Sequence, residues 1–496
     1  ERERLLRKFW VLQDPTPTTA VNERRVEHLR RVYQARLHVA EGIQARHGRG
    51  WDRRGDVYIR FGEPDHRSWS DNLVFETDPK VVKIKNRLNN LAYNALEDLQ
   101  SSKHVHGSPN QTFGLGVAPE TAEIKGRPTF PIPQRTSVMN DGSELNYKWE
   151  SWIYADIGEG FEITFLDQEG DGVYDFAPVP SDSRHRSLWQ RLAPEMVVAQ
   201  VTNRTPSVHA FNYGGDPMGL YVYTSDFRGQ SEKTDLEMYL GVPVSELGQQ
   251  AGEVRLERKV VVYDREWRSV FQDSNEAVEK VSGASSGTFM VDQIRASLKS
   301  GPHFVAVEVR DPVSDKIQIF KGDVFINRYR DDVLGLSDLE LAGDVRDASG
   351  AGKFVKGDVQ VVPLPSKMFL KGQPVYVYYE VYNLTRDTFG QTKYRVDYVL
   401  KGKGASTVGA RILGGLGKLL GQAPLADGVT ISYEHSGEAH WEPIYVGLDV
   451  TSVDKPEVEL TVMVTDLNAF GAPLVEKTIH FVVTGLGTQT LGQESE

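Results

Sequence analysis

Apolar and polar residues alternate with a period of two through most of the second half of the chain. From Gly219 the alternation comes in short runs: Leu220–Thr224, Asp235–Val242, Val254–Tyr263, Thr288–Ala296, His303–Val309 and Ile317–Ile326. Side chains two apart share one face of a strand, so each run predicts a half-buried strand, and their regular spacing predicts a β-sandwich over 201–330. A second set predicts another immunoglobulin-like sandwich over 358–484: Gln360–Val362, Pro374–Leu384, Tyr394–Leu400, Val429–Tyr433, Glu442–Val450, Glu457–Asp466 and Val475–Val483. Residues 331–357 read as a joint between the two, with a Ser-Asp-Leu-Glu-Leu-Ala strand and a turn at Gly350 and Gly352, and 485–496 as a tail. Along Val375–Tyr382, Val375, Val377, Tyr379 and Val381 take one face and Tyr376, Tyr378, Glu380 and Tyr382 the other. The tyrosine face suits a binding surface for carbohydrate or protein, or a face covered by a neighbouring domain. From Ile412 to Leu420 the period shifts to three or four and predicts an amphipathic helix. The five glycines from Gly409 to Gly421 weaken it by about 1 kcal/mol each. It therefore needs a surface, either the open end of its own sandwich or a membrane or partner met through Leu416 and Leu420.

Residues 1–200 mix both periods and predict a small α+β head. Its opening is helical up to Asp14-Pro15-Thr16-Pro17, where two prolines forbid continuation. After Asn22, Val26, Leu29, Val32, Tyr33 and Leu37 recur at helical spacing, with Arg24, Arg25, Arg30, Arg31 and Arg36 on the other side. Such an arginine face is a solvated one paired with Glu23 and Glu27, or a surface for an anionic partner. Next, Gly50-Trp51-Asp52-Arg53-Arg54-Gly55-Asp56 leads into Val57-Tyr58-Ile59-Arg60-Phe61 and Gly62-Glu63-Pro64-Asp65. Val57–Phe61 reads as a strand between two glycine turns, and Trp51 as an anchor buried between the preceding helix and a sheet. Trp149 to Phe176 reads as an antiparallel meander with an acidic turn, Asp167-Gln168-Glu169-Gly170-Asp171-Gly172. That turn resembles the start of a calcium loop, but Pro178 stands where a bidentate Glu belongs, so it reads as a hairpin turn. A helix over Val81–Leu99 and a Pro/Gly/Ser-rich loop over 101–142 fall in an insertion, 66–147, and Ser187–Val201 reads as a linking helix. His104-x-His106 in the loop is too few ligands for a metal site.

Trp10, Asp14-Pro15, Gly50-Trp51, Gly55, Tyr58, Gly62 and Pro64-Asp65, together with the stretches around Trp149–Asp175, Leu336–Ala342 and Val377–Leu384, resemble the GWxTD-domain family of bacterial proteins. Arg53-Arg54 stands where the family has Thr-Asp. The resemblance implies an exported protein of a Gram-negative-type cell envelope, in the periplasm, at the outer membrane or outside the cell. It implies no catalytic residue. A chain beginning at Glu1 fits a processed or trimmed form whose targeting signal is out of view.

Composition narrows the chemistry. The net charge of −12 argues against a nucleic-acid partner, which needs a basic face. No cysteine excludes disulfides, thiolate metal sites and cysteine nucleophiles. No apolar run approaches the roughly 18 residues of a membrane helix, so membrane association is expected to be peripheral at most. No cofactor or catalytic fingerprint appears, and none is expected. Two functions remain. One is a non-catalytic interaction protein that works in a larger assembly through its sandwiches and the 101–142 loop. The other is a carbohydrate-binding protein or hydrolase built on Trp51, Asp56 and Glu63. Convergent carboxylates in a cleft favour the second, and a charge-paired turn the first.

Overall fold

In the computed structural model the described residues are 1–37, 50–69, 78–85, 148–177, 190–191, 193–205, 211–280, 288–348, 350, 352–402, 411–414, 418–425, 428–451 and 456–485. The 101–142 loop with His104 and His106, residues 86–99 of the Val81–Leu99 helix, Leu416 and the tail beyond Gly485 lie outside them. The chain forms a small α+β head and two β-sandwiches. It divides into two compact units, Gln13–Pro15 with Val21–Phe211, and Glu1–Leu12, Thr16–Ala20 with Asn212–Glu496.

The head is organised by an antiparallel sheet, β1 (His66–Trp69), β2 (Lys148–Tyr154), β3 (Phe161–Asp167) and β4 (Asp175–Phe176), paired in that order. The predicted meander is therefore present. One face buries Trp152, Tyr154, Phe161, Ile163 and Phe165 against Val57, Tyr58 and Phe61. The other carries Ile153 under Val81 and Ile84, from a helical stretch at 79–85. Val57–Phe61 is not a strand. With α1 (Arg2–Gln13) and α2 (Glu23–Leu37) before it, this stretch closes α3, Arg53–Phe61. The Asp52 side chain caps its start and Gly62, at φ 87°, ends it. Val57, Tyr58 and Phe61 then share one helical side, a grouping that five residues of β-like composition conceal. The linking helix is α4, Pro194–Arg204, with proline in its first turn. Asp14 and Pro15 are buried, Trp10 half-buried.

In the other unit, the first sandwich sets a three-stranded sheet (289–298, 234–243, 221–228) against a second sheet of 316–326, 301–311, 253–263 and 249–250. The strand Ser269–Lys280 was not anticipated; it is polar and, among the described residues, pairs only along the edge offered by Glu253–Tyr263. Residues 16–20 belong to this unit: Thr18 Oγ1 donates to Glu308 at 2.5 Å, and Tyr263 Oη to the Pro17 carbonyl at 3.1 Å.

The second sandwich sets a sheet containing 340–347, 375–382 and 441–449 against one containing 392–402, 428–437, 457–466 and 474–484. Its core holds Val375, Val377, Tyr379 and Val381 on one side and Val396, Leu400, Leu460, Val462 and Val464 on the other. The stretch read as a joint is part of this sandwich: Leu336, Leu339 and Leu341 are in its core, and Glu340–Asp347 pairs with two of its strands. The amphipathic helix at 412–420 is replaced by strands Arg411–Gly414 and Lys418–Leu425, which extend the two sheets, with Leu420 in the latter. Backbone pairing on both sheet edges outweighs a helical pattern that five glycines had already weakened.

The tyrosine face of Val375–Tyr382 is no free surface. Tyr378 and Tyr382 are 1% exposed and Tyr376 is half-buried, because the three-stranded sheet of the first sandwich packs over them. Phe227 meets Tyr378, the Arg228 backbone N–H donates to Tyr382 Oη at 3.0 Å, and Tyr223 Oη donates to the Leu341 carbonyl at 2.8 Å. Lys356 lies inside this seam, 2.8 Å from Glu237 and 2.6 Å from Glu340, and 3.5 Å above the Phe227 ring.

Candidate functional site

The start of α3 and the acidic turn after β3, two unrelated stretches in the sequence, form one cleft of about 280 Å³ in the head. Trp51, Asp52, Arg53 and Asp56 line one side, and Glu169, Asp171, Tyr174 and Asp175 the other. Asp52 makes the join. While capping α3 through the Arg54 N–H at 3.0 Å, it also accepts from the Tyr174 N–H at 3.0 Å and from Arg54 Nη2 at 2.7 Å. Arg54 extends the join by donating to Glu150 on β2 at 2.7 Å and stacking 3.8 Å over the Tyr174 ring. Burial by itself would lower the Arg54 pKa, but the Asp52 and Glu150 carboxylates outweigh it and raise it.

The other charges close in the same way. Arg53 reaches Asp175 at 3.3 Å and Asp56 at 3.4 Å, and Trp51 Nε1 donates to Asp56 at 2.9 Å. In the acidic turn the Asp167 carboxylate accepts from the N–H groups of Asp171 (3.2 Å) and Gly172 (2.9 Å), and Asp171 from that of Val173 (3.0 Å). Those carboxylates hold their own loop. Among the described residues, no group of three or more His, Cys, Asp or Glu is arranged to hold a metal ion.

Trp51 is half-buried, not enclosed between helix and sheet: it forms a wall of the cleft, with the Arg36 guanidinium 5.8 Å from its ring centre. Gly55 is dictated by that wall, since a Cβ there would lie 2.5 Å from Trp51 Cδ1. Glu63 does not join Trp51 and Asp56. It is exposed and pairs with Arg67 at 3.1 Å, so the paired-carboxylate arrangement of the alternative reading around Trp51 is not formed by these residues. Pro64 is buried, Asp65 accepts from the Ala155 N–H at 2.6 Å, and Tyr154 Oη donates to the Gly62 carbonyl at 2.9 Å. The motif Gly62-x-Pro64-Asp65 thus ties the end of α3 to β2.

A second cluster escaped the sequence reading. On the sheet face away from α3, Ser151 Oγ donates to Glu162, and Lys85 Nζ lies 3.1 Å from His66 Nε2, all four residues being buried. Burial pushes Glu162 up to about 7, against the pull of Ser151 and Lys85. The residue types are those of a hydrolase, but Ser151 gives its hydrogen bond to a carboxylate rather than to the imidazole that serves as base in a Ser-His-Asp triad. The only signal in the sequence was a lysine at helical spacing from Val81 and beside Ile84, on what became a buried side.

No family model matches the chain, and no curated protein matches it. Among solved structures, similarity extends to Escherichia coli alpha-2-macroglobulin activated by porcine elastase, at 9% identity over 66% of this chain and 26% of that one, with a TM-score of 0.14. It extends also to a biofilm associated protein B domain, at 9% identity over 55% of this chain and 87% of that one, with a TM-score of 0.17. The chain spans about a quarter of the macroglobulin's length. Likenesses at these scores carry no argument, and the fold rests on the sheets themselves.

Proposed function

We propose that the protein is a non-catalytic structural and interaction component of a larger protein assembly in the bacterial cell envelope or outside the cell. The observation that carries this is the state of the Trp51 cleft. Asp52, Asp56, Asp167 and Asp175 accept hydrogen bonds from the arginines, indole and backbone N–H groups that hold α3 to the acidic turn. A general acid or base needs a carboxyl group turned towards a substrate; these are turned towards the protein. The resemblance to GWxTD-domain proteins agrees with an envelope location, and no helix among the described residues is long and apolar enough to cross a membrane.

Glycan binding is the second reading, favoured by one feature: the cleft has aromatic walls, Trp51 and Tyr174, beside Asp56. Co-purification from the native envelope after cross-linking, paired with a glycan-array screen of the isolated chain, separates the two. The assembly reading expects defined protein partners and no glycan signal that depends on Trp51. Glycan binding lost in Trp51→Ala with the head still folded overturns it, as does turnover abolished by Asp56→Asn.

A further inference from the structure

α2 is built inside out. Its apolar residues Val26, Leu29, Tyr33 and Leu37 are 54, 56, 60 and 56% exposed, while Arg24, Arg31 and Ala35 are buried against the head. The face expected to be solvated is thus partly the inner one. Arg31 donates to the Arg60 carbonyl at 3.3 Å and lies 2.7 Å from Glu27, and a Cβ at Gly62 would come within 2.9 Å of its guanidinium. Leaving the stripe in water forgoes the stabilisation that burial of each large apolar side chain would bring. A helix that holds its own domain with arginines and keeps its apolar stripe outside has that stripe available for another surface.

The borders of the stripe say which surface. Arg25 and Arg36 flank it on one side and Arg30, which pairs with Glu27 at 2.6 and 2.8 Å, on the other, all exposed, and the stripe runs about 17 Å along the helix at 1.5 Å per residue. Val26, Leu29 and Tyr33 follow the a, d, a spacing of a two-helix seam, which puts Arg25 and Arg30 at the flanking g and e positions that select a partner by charge. A second copy of α2 in that seam would set arginine against arginine. An anionic bilayer matches the local charge, but the molecule's net charge of −12 opposes its approach to such a surface. Resting on the assembly reading above, we propose that the outward stripe of α2 docks an acidic amphipathic helix of a partner protein, with Glu or Asp facing Arg25 and Arg30.

The test uses the full chain and two dye-labelled 21-residue peptides with Ile at a and Leu at d, one carrying Glu and the other Lys at e and g, followed by fluorescence anisotropy. The Glu peptide is expected to bind, more weakly as salt rises, and the Lys peptide not to bind. Leu29→Ser with Tyr33→Ser should weaken binding about tenfold or more. Arg25→Glu with Arg30→Glu should transfer binding to the Lys peptide. Because all four side chains are exposed, an unchanged thermal midpoint controls for folding, and Arg25→Glu alone gives a milder form of the same exchange. Binding of both peptides alike, or of neither, overturns the proposal, as does Glu-peptide binding that these substitutions leave unaltered. Capture of phosphatidylglycerol vesicles that needs Leu29 and Tyr33, without peptide binding, assigns the stripe to lipid. A dimer in sedimentation that Leu29→Ser dissociates assigns it to a second copy. Co-purification that persists in the Leu29→Ser, Tyr33→Ser variant removes the docking site but leaves the assembly reading; no co-purification by the unaltered chain removes the reading itself.

Discussion

Glu162 shows how far a residue's chemistry depends on its neighbours. In the alternation of β3 it occupies a polar position that reads as solvent-facing, yet the sheet face it occupies is buried. Burial raises its pKa to about 7 from a starting value of 4.5. Because the folded value lies above the unfolded one, the folded head keeps a proton that the unfolded chain releases between those two values. The associated stability is complete below about pH 4.5 and is lost as pH rises through 7. Glu162→Gln keeps a hydrogen-bonding partner for Ser151 and removes the titration. The head of this variant should gain up to a few kcal/mol over the unaltered chain at pH 8, and little at pH 4.5. Urea unfolding followed by tryptophan fluorescence at the two pH values checks this; equal effects at both would refute it.

At the scale of elements, α3 is where a local pattern misled. Val57, Ile59 and Phe61 alternate with Tyr58 and Arg60 as a strand would, and over five residues a period of two is hard to separate from one of 3.6. The deciding signals were Asp52 as cap and Gly62 as stop, both of which also serve as turn residues. Gly55 inside the helix has its reason outside it, in the Trp51 ring. Gly55→Ala would improve helix propensity by about 1 kcal/mol. The clash with Trp51 costs about 1–3 kcal/mol, as overpacking does, so the substitution should destabilise the head. In a Trp51→Gly background, which removes both the ring and the Trp51 Cβ that lies 2.6 Å from the same position, the clash is gone and the same substitution should stabilise by up to about 1 kcal/mol. A double-mutant cycle by chemical denaturation reads the change of sign. The same sign in both backgrounds would mean that Trp51 does not dictate the glycine.

Across the whole sandwich unit, the seam at Lys356 makes two modules into one. Burial favours neutral Glu340, raised to about 7 even with Lys356 beside it, while Lys356 and Arg295 outweigh burial at Glu237 and lower its pKa. Tyr239 Oη adds a hydrogen bond to Glu237 at 2.6 Å. Lys356→Met keeps the bulk against Phe227 and Tyr378 but leaves two buried carboxylates without their shared cation. Removing one partner of such a buried set costs about 3–5 kcal/mol. The melting temperature of the sandwich unit should therefore fall at pH 8, and fall less at pH 5, where Glu340 takes up a proton. Scanning calorimetry of the full chain at both pH values tests it, and an equal drop at both would show that the lost charge is not the cause.

Most strands of the two sandwiches are legible in the alternation of the sequence to within a few residues, though not Ser269–Lys280 or the two that stand where a helix was expected at 412–420. Glu457–Asp466 begins and ends where the alternation places it, and Val375–Tyr382 divides its faces as read. Backbone pairing with period two is a local property, and these runs state it locally. What the tertiary structure decided was which face each neighbour covers. It buried Tyr378 and Tyr382 under another domain, drew Leu336–Leu341 into a core, and brought Asp52 to an acidic turn 122 residues away along the chain. It also turned Arg24 and Arg31 of α2 inward and Leu29 and Leu37 outward. Periodicity records which side chains travel together on one face; the surface that face meets is supplied by residues distant in the chain, whose position no local pattern contains.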